Sequence, residues 1–89
     1  MQDIFEALSD PHRRKILDML KHGELCSSDI ASQLDITPAS VTHHLNKLRS
    51  ANLIIKTRKG RNIYYTVHTS LMEDVLTYMY SLIDTKGLK

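Results

Sequence analysis

The sequence predicts a mainly α-helical domain with one small β-hairpin, about five helices and a two-stranded wing, arranged as a winged helix-turn-helix. Three observations predict it. Apolar residues recur at helical spacing in several short blocks. Two of those blocks open on a capping residue followed by proline, Asp10-Pro11 and Thr37-Pro38. After Asn52 the residues become β-branched and aromatic on either side of Gly60.

Each element follows from its residues. Ile4, Phe5 and Leu8 define a first helix that stops near Ser9. Asp10 caps the second and Pro11 starts it where a missing N–H costs nothing. Ile16, Leu17 and Leu20 form its inner stripe, and Gly23 ends it. Ser27 or Ser28 can cap a third helix with Ile30, Ala31 and Leu34 facing inward. Asp35-Ile36 makes a tight turn, and Thr37-Pro38 opens a fourth helix on Val41, Leu45 and Leu48. Two short helices joined so closely form a helix-turn-helix. Leu53 to Thr57 and Ile63 to Val67 read as strands joined by the charged tip Lys59-Gly60-Arg61-Asn62. Ser70, with Glu73 three residues on, matches a capping box for a last helix that carries Met72, Val75, Leu76, Met79, Leu82 and Ile83.

A length of 89 residues holds one domain, 1–89, because a second core would leave each half too small to fold unaided. It also excludes a large catalytic domain. No run approaches the roughly 18 to 20 apolar residues of a membrane span, and MQDIFEAL lacks the basic start and apolar stretch of a signal peptide. The expected location is cytoplasmic, without membrane insertion. Cys26, the sole cysteine, can form no intramolecular disulfide. Packing must supply the stability, and a homodimer would bury more surface. The last helix carries a wider apolar stripe than one small monomer covers, so Ile4, Phe5 and Leu8 with Met72, Val75, Leu76, Met79 and Ile83 are the expected dimer interface.

The formal net charge of +2 conceals a strong division: −3 over residues 1–37, +6 over 38–68 and −1 over 69–89. No Asp or Glu occurs from Ile36 through Met72. A polycationic middle third suits a polyanionic partner. On the fourth helix the apolar stripe turns Ala39, His43, Asn46, Lys47 and Ser50 outward, with Thr42 and Arg49 on one flank. Small polar groups and cations on such a face suit a major groove, with Thr37, Ala39, Ser40, Thr42, His43, Asn46 and Lys47 as the candidate DNA-contacting set. His44 lies beside the apolar stripe and is read as a packing histidine. The tip residues Arg58, Lys59, Gly60, Arg61 and Asn62, with no acid between them, suit phosphates or the adjoining groove. Tyr64 and Tyr65 alternate faces, so one is expected in the core and the other more exposed.

Three blocks also carry a resemblance: LSDPHRRKIL at residues 8–17, SVTHHLNKLR at 40–49 and KGRNIYY at 59–65. In order and spacing they resemble the signature blocks of the ArsR-type bacterial repressors, most nearly the compact, metal-independent SdpR-like autorepressors. The resemblance implies a homodimeric winged-helix repressor that binds a double-stranded DNA operator, with the first and last helices in the dimer contact.

Metal-sensing members of that family invite a check of ligands. Where they carry two cysteines two residues apart, this chain has Cys26 and Ser28, and one thiolate cannot supply the set a soft ion needs. The last helix offers Glu73, Asp74 and Asp84 without histidine; His12, His22 and His68 are expected to be scattered singly, and the adjacent His43 and His44 to point in different directions. No metal, cofactor or enzymatic site follows: a HExxH motif and a phosphate-binding glycine loop are both absent. Missing inducer ligands point to release by a protein antirepressor or by falling protein concentration. The competing readings are a protein-interaction module on the same scaffold and a metal- or thiol-responsive repressor.

Overall fold

The computed structural model describes residues 2–83. The element order is α1 (Gln2–Leu8), α2 (Pro11–Leu20), α3 (Ser27–Leu34), α4 (Pro38–Ser50), β1 (Ile54–Lys59), β2 (Asn62–Val67) and α5 (Thr69–Ile83). These five helices and one antiparallel hairpin form a winged helix-turn-helix.

Local chemistry sets most boundaries. Asp10 caps α2 by accepting from the backbone N–H groups of His12 and Arg13 at 2.8 and 3.2 Å, and Pro11 follows at the first helical position. Thr37 caps α4 the same way, accepting from the Ser40 N–H at 3.1 Å. Asp35 (φ 55°) ends α3 and Asn52 (φ 61°) follows α4, both in the left-handed region that Asp and Asn tolerate better than most residues.

Two caps differ from the sequence expectation. The residue before α3 is Cys26, not Ser27 or Ser28, and its side chain makes no capping bond. The thiol instead lies 3.1 Å from both Ser28 Oγ and Asp29 Oδ2. The last helix begins at Thr69, so Ser70 sits inside the first turn and no capping box forms. His68 precedes it, and three contacts fix its place: its N–H donates to the Leu53 carbonyl at 2.9 Å, its ring Nδ1 lies 2.9 Å from the Asn52 carbonyl, and its own carbonyl accepts from the Met72 N–H. Tertiary contacts thus override the local signal.

Ile16, Ile30, Val41, Leu45, Leu48 and Leu53 are fully buried and join α2, α3, α4 and the approach to β1 in one core. Ile4 and Ala7 turn α1 onto it. Both tyrosines of β2 are half-buried: Tyr65 packs against the core, and Tyr64 lies under Lys59. Leu25 adds a one-residue bridge to Tyr65 through hydrogen bonds of 2.8 and 3.2 Å. This ties the hairpin to the segment before α3.

By contrast, α5 buries none of its residues. Leu76, Met79, Leu82 and Ile83 are 68%, 44%, 57% and 71% exposed. Toward α1, its Tyr78 stands beside Phe5, ring centroids 6.5 Å apart.

Candidate nucleic-acid interface

Helix α4 has two unlike sides. Val41, His44, Leu45 and Leu48 are buried, whereas Ala39, Ser40, Thr42, His43, Asn46, Lys47, Arg49 and Ser50 are all exposed. The 3.6-residue period delivers this division directly. Among the described residues the side chains of Thr42, His43, Asn46 and Arg49 have no hydrogen-bond partner in the protein, so their polar groups are available to a ligand. Thr37 and Ser40 are exposed too, but their hydroxyls already bond each other at 3.1 Å.

The three-dimensional charge pattern differs from the linear one in two places. Lys47 lies 3.8 Å from Glu6 of α1, and an open cleft of about 360 Å³ brings Asp3 and Glu6 near His43, Asn46 and Ser50. The C-terminal half of the outer face therefore borders acids, whereas Ala39, Ser40 and Thr42 lie outside that cleft. At the tip, Lys59 is not free of acids: Glu24 takes it in a bidentate contact of 2.8 and 2.9 Å, and its Nζ sits 5.6 Å from the Tyr64 ring centre. Glu24 is 35 residues away in the chain, beyond the reach of a local reading.

The hairpin pairs Lys59 with Asn62, so Gly60 and Arg61 form a two-residue turn. Gly60 has φ 64° at the first turn position, where a type II′ turn takes glycine. Arg58 donates from Nε to the Gly60 carbonyl at 3.2 Å, stiffening the tip. Arg61, at the apex, has no ion-pair partner among the described residues, and neither do Lys56 and Arg58. The strands run two residues further toward the tip on β1 than the expected Leu53–Thr57, and one on β2.

A polar cluster supports α4 from behind. Arg13, only 8% exposed, donates from Nε to the Ala7 carbonyl at 2.7 Å and from Nη2 to the Glu6 carbonyl at 3.3 Å. Its Nη1 lies 3.4 Å from His44 Nδ1, which must accept because a guanidinium can only donate. One side chain thus joins the end of α1, the start of α2 and the inner side of α4. Burial holds the His44 imidazole below its ordinary value of 6.5, reinforced by the Arg13 charge and opposed by Asp10. Partial desolvation raises the Asp10 carboxyl, but the Arg13 and His12 backbone N–H groups outweigh it and hold the group below 3.8. His44 is a packing histidine, as its place beside the apolar stripe predicts. The expected scatter of histidines is not what the fold gives: the His12 and His44 rings lie 5.5 Å apart because the start of α2 abuts α4. Arg13, Glu6 and Glu24 carried no local signal of these roles. Asp84 lies outside the described residues, and no helix among them is long and apolar enough to cross a membrane.

Comparisons with known proteins agree with this architecture. The chain is 44% identical to the transcriptional repressor SdpR of Bacillus subtilis over 94% of its own length and 93% of that protein's. It is 39% identical to the transcriptional repressor SmtB homolog of Synechocystis over 75% of its length, spanning about half (51%) of that relative. Among solved structures, an ArsR-like transcriptional regulator from Rhodococcus superposes with a TM-score of 0.84 at 26% identity, covering 91% of this chain and 76% of that one. Residues 10–56, from the cap of α2 into β1, match the family model for bacterial regulatory proteins of the arsR family. With the helix-turn-helix and the start of the wing inside that match, the chain belongs to the arsR family of bacterial regulatory proteins.

Proposed function

We propose that this protein is a sequence-specific transcriptional repressor that binds a double-stranded operator as a homodimer, with α4 in the major groove and the hairpin against flanking phosphates. The observation that carries it is the exposed outer face of α4, which has no acid of its own and whose Thr42, His43, Asn46 and Arg49 side chains have no hydrogen-bond partner among the described residues. Kinship with a named transcriptional repressor over nearly the whole chain supports the same reading. Readout falls to Ala39, Thr42, His43 and Asn46. Thr37 and Ser40 shape the helix start and reach the backbone, while Lys47, Arg49, Arg58, Lys59, Arg61 and Asn62 serve phosphates, with Gly60 turning the tip.

Dimerisation would cover the apolar surface to which α1 and α5 both contribute. Phe5, Leu76, Met79 and Ile83 are its exposed centre; Leu8, Met72 and Val75 are half-buried at its edge, and Ile4 faces its own core and supports α1 from beneath. A two-fold dimer would present two α4 helices to major grooves about one helical turn, 34 to 36 Å, apart. Repression would be steric, by occupation of a promoter, its own included. Resistance to cadmium and to arsenicals stands in the names of other relatives. Here the thiol of Cys26 has a hydroxyl and a carboxylate beside it, not a second thiolate, so release falls to a protein antirepressor or to dilution, not to a soft ion.

Selection of bound sequences from random duplexes, followed by binding to selected and scrambled DNA, tests the reading. Enrichment of an inverted repeat supports it. Equal affinity for all duplexes, or none, would leave a protein-interaction module as the better account.

A further inference from the structure

We propose that Asp10, His12 and His44 form a binding site for one borderline divalent ion, of the zinc, nickel or cobalt class, between the start of α2 and the inner side of α4. Candidate ligand atoms of the three residues all lie within 4.8 Å of one another. They come from two elements that the core already holds together, so the site does not depend on a mobile loop.

Each ligand has an atom to offer. Asp10 commits Oδ1 to the His12 and Arg13 N–H groups, which fixes the carboxylate, while Oδ2 has no hydrogen-bond partner among the described residues. His44 is held in place by burial on α4. His12 is exposed and free to swing on its side-chain torsions. A four-coordinate ion with bonds of 2.0 to 2.2 Å needs ligand atoms about 3.3 Å apart, so closing the group asks for a displacement of roughly an ångström and a half, within the swing of one exposed imidazole. Two imidazoles and one carboxylate suit zinc, nickel or cobalt better than magnesium or calcium, which prefer all-oxygen sets, or soft ions, which prefer thiolates. Water would complete the coordination.

Arg13 sets the cost. A coordinated imidazole carries its proton on the other nitrogen, so an ion on either nitrogen of His44 ends its acceptance from Arg13 Nη1. That contact is already long, 3.4 Å, and the guanidinium keeps its bonds to Ala7 and Glu6. Ion binding would thus exchange a weak link between Arg13 and α4 for a bond between α2 and α4.

The test uses the full chain without an affinity tag. Cobalt(II) titration followed by visible absorption, and zinc titration against a chromophoric chelator, should give one ion per chain. His12→Ala should weaken binding at least tenfold. Asp10→Asn should do the same while the asparagine still caps α2, so loss of affinity with an unchanged circular dichroism spectrum separates ligation from folding. His22→Ala, remote from the cluster, should bind as wild type does. Absence of stoichiometric binding at micromolar zinc and cobalt overturns the proposal, and so does wild-type affinity in both Asp10→Asn and His12→Ala.

Discussion

Replacing Arg13 with methionine should be among the most damaging single changes in the α1–α2–α4 region that leave the apolar core intact. Methionine keeps much of the apolar stem and removes only the guanidinium, so the loss reports on the polar contacts. Those contacts are unequal. The bond to the Ala7 carbonyl is short, 2.7 Å, and charge-assisted, the class that contributes about 1.5 to 3 kcal/mol. The Glu6 carbonyl, at 3.3 Å, also accepts from the N–H and hydroxyl of Ser9, so it stays satisfied without Arg13. His44 Nδ1, at 3.4 Å, loses a weak partner. The Ala7 carbonyl should dominate, for a total of about 2 to 3 kcal/mol.

Replacing a buried charge by an apolar group can be neutral or stabilising when both partners are removed. Arg13 is not paired with a carboxylate; its partners are a backbone carbonyl and an imidazole that remain behind after substitution. The asymmetry between a bond absent and a bond half removed therefore favours destabilisation. Urea denaturation at one fixed protomer concentration, necessary because assembly shifts apparent stability, should move the midpoint down by on the order of 1 to 2 M. Arg13→Lys should fall between the two, since one ammonium cannot serve three separated acceptors. A methionine variant within about 0.5 kcal/mol of wild type would refute the claim that this side chain ties α1 to α4.

Four further outcomes are expected. His43→Ala should cost about 1 to 3 kcal/mol at selected DNA and relax preference at particular base pairs, whereas Arg61→Ala should weaken selected and scrambled duplexes alike and reduce the salt slope by roughly one per phosphate lost; salt-series binding with the opposite pattern would reverse the assignment of helix and wing. Glu24→Gln should release Lys59 from its ion pair and steepen the salt slope by about 0.9 per phosphate newly contacted, and an unchanged slope would show that Lys59 does not reach DNA. Met79→Asp places a carboxylate on the exposed face of α5, so sedimentation equilibrium should show weaker dimerisation while circular dichroism stays unchanged. Because the folded-state value of His44 is depressed, its contribution to stability is present above pH 6.5 and declines as pH falls through the lowered value; Asp10, also depressed, adds a loss only below about pH 3.8, and a urea midpoint flat between pH 7.5 and 5 would contradict the first step.

What the sequence made legible was whatever a local rule controls. Asp10-Pro11 and Thr37-Pro38 mark helix starts because a cap and its proline act within four residues, and Val41, Leu45 and Leu48 divide α4 because its period is fixed by backbone geometry. Ser70 and the paired Ser27-Ser28 misled because the same local rule was outweighed: His68 is held by Leu53 and Asn52, and Cys26 takes the cap position without capping chemistry. Charge was legible in sum but not in place. The acid-free stretch from Ile36 to Met72 is real, yet Glu6 and Glu24 return to Lys47 and Lys59 from far along the chain. Among the six Lys and Arg residues of that stretch, Arg49, Lys56, Arg58 and Arg61 have no ion-pair partner among the described residues, two of them on β1, one at the apex of the turn and one on α4. Such a distribution fits a duplex touched by the helix flank and the wing at once, with the two paired lysines reaching phosphates only by giving up Glu6 and Glu24. It implies that the acids of α1 and of the α2–α3 connection, as much as the cations they hold, set how much non-specific affinity the protein has.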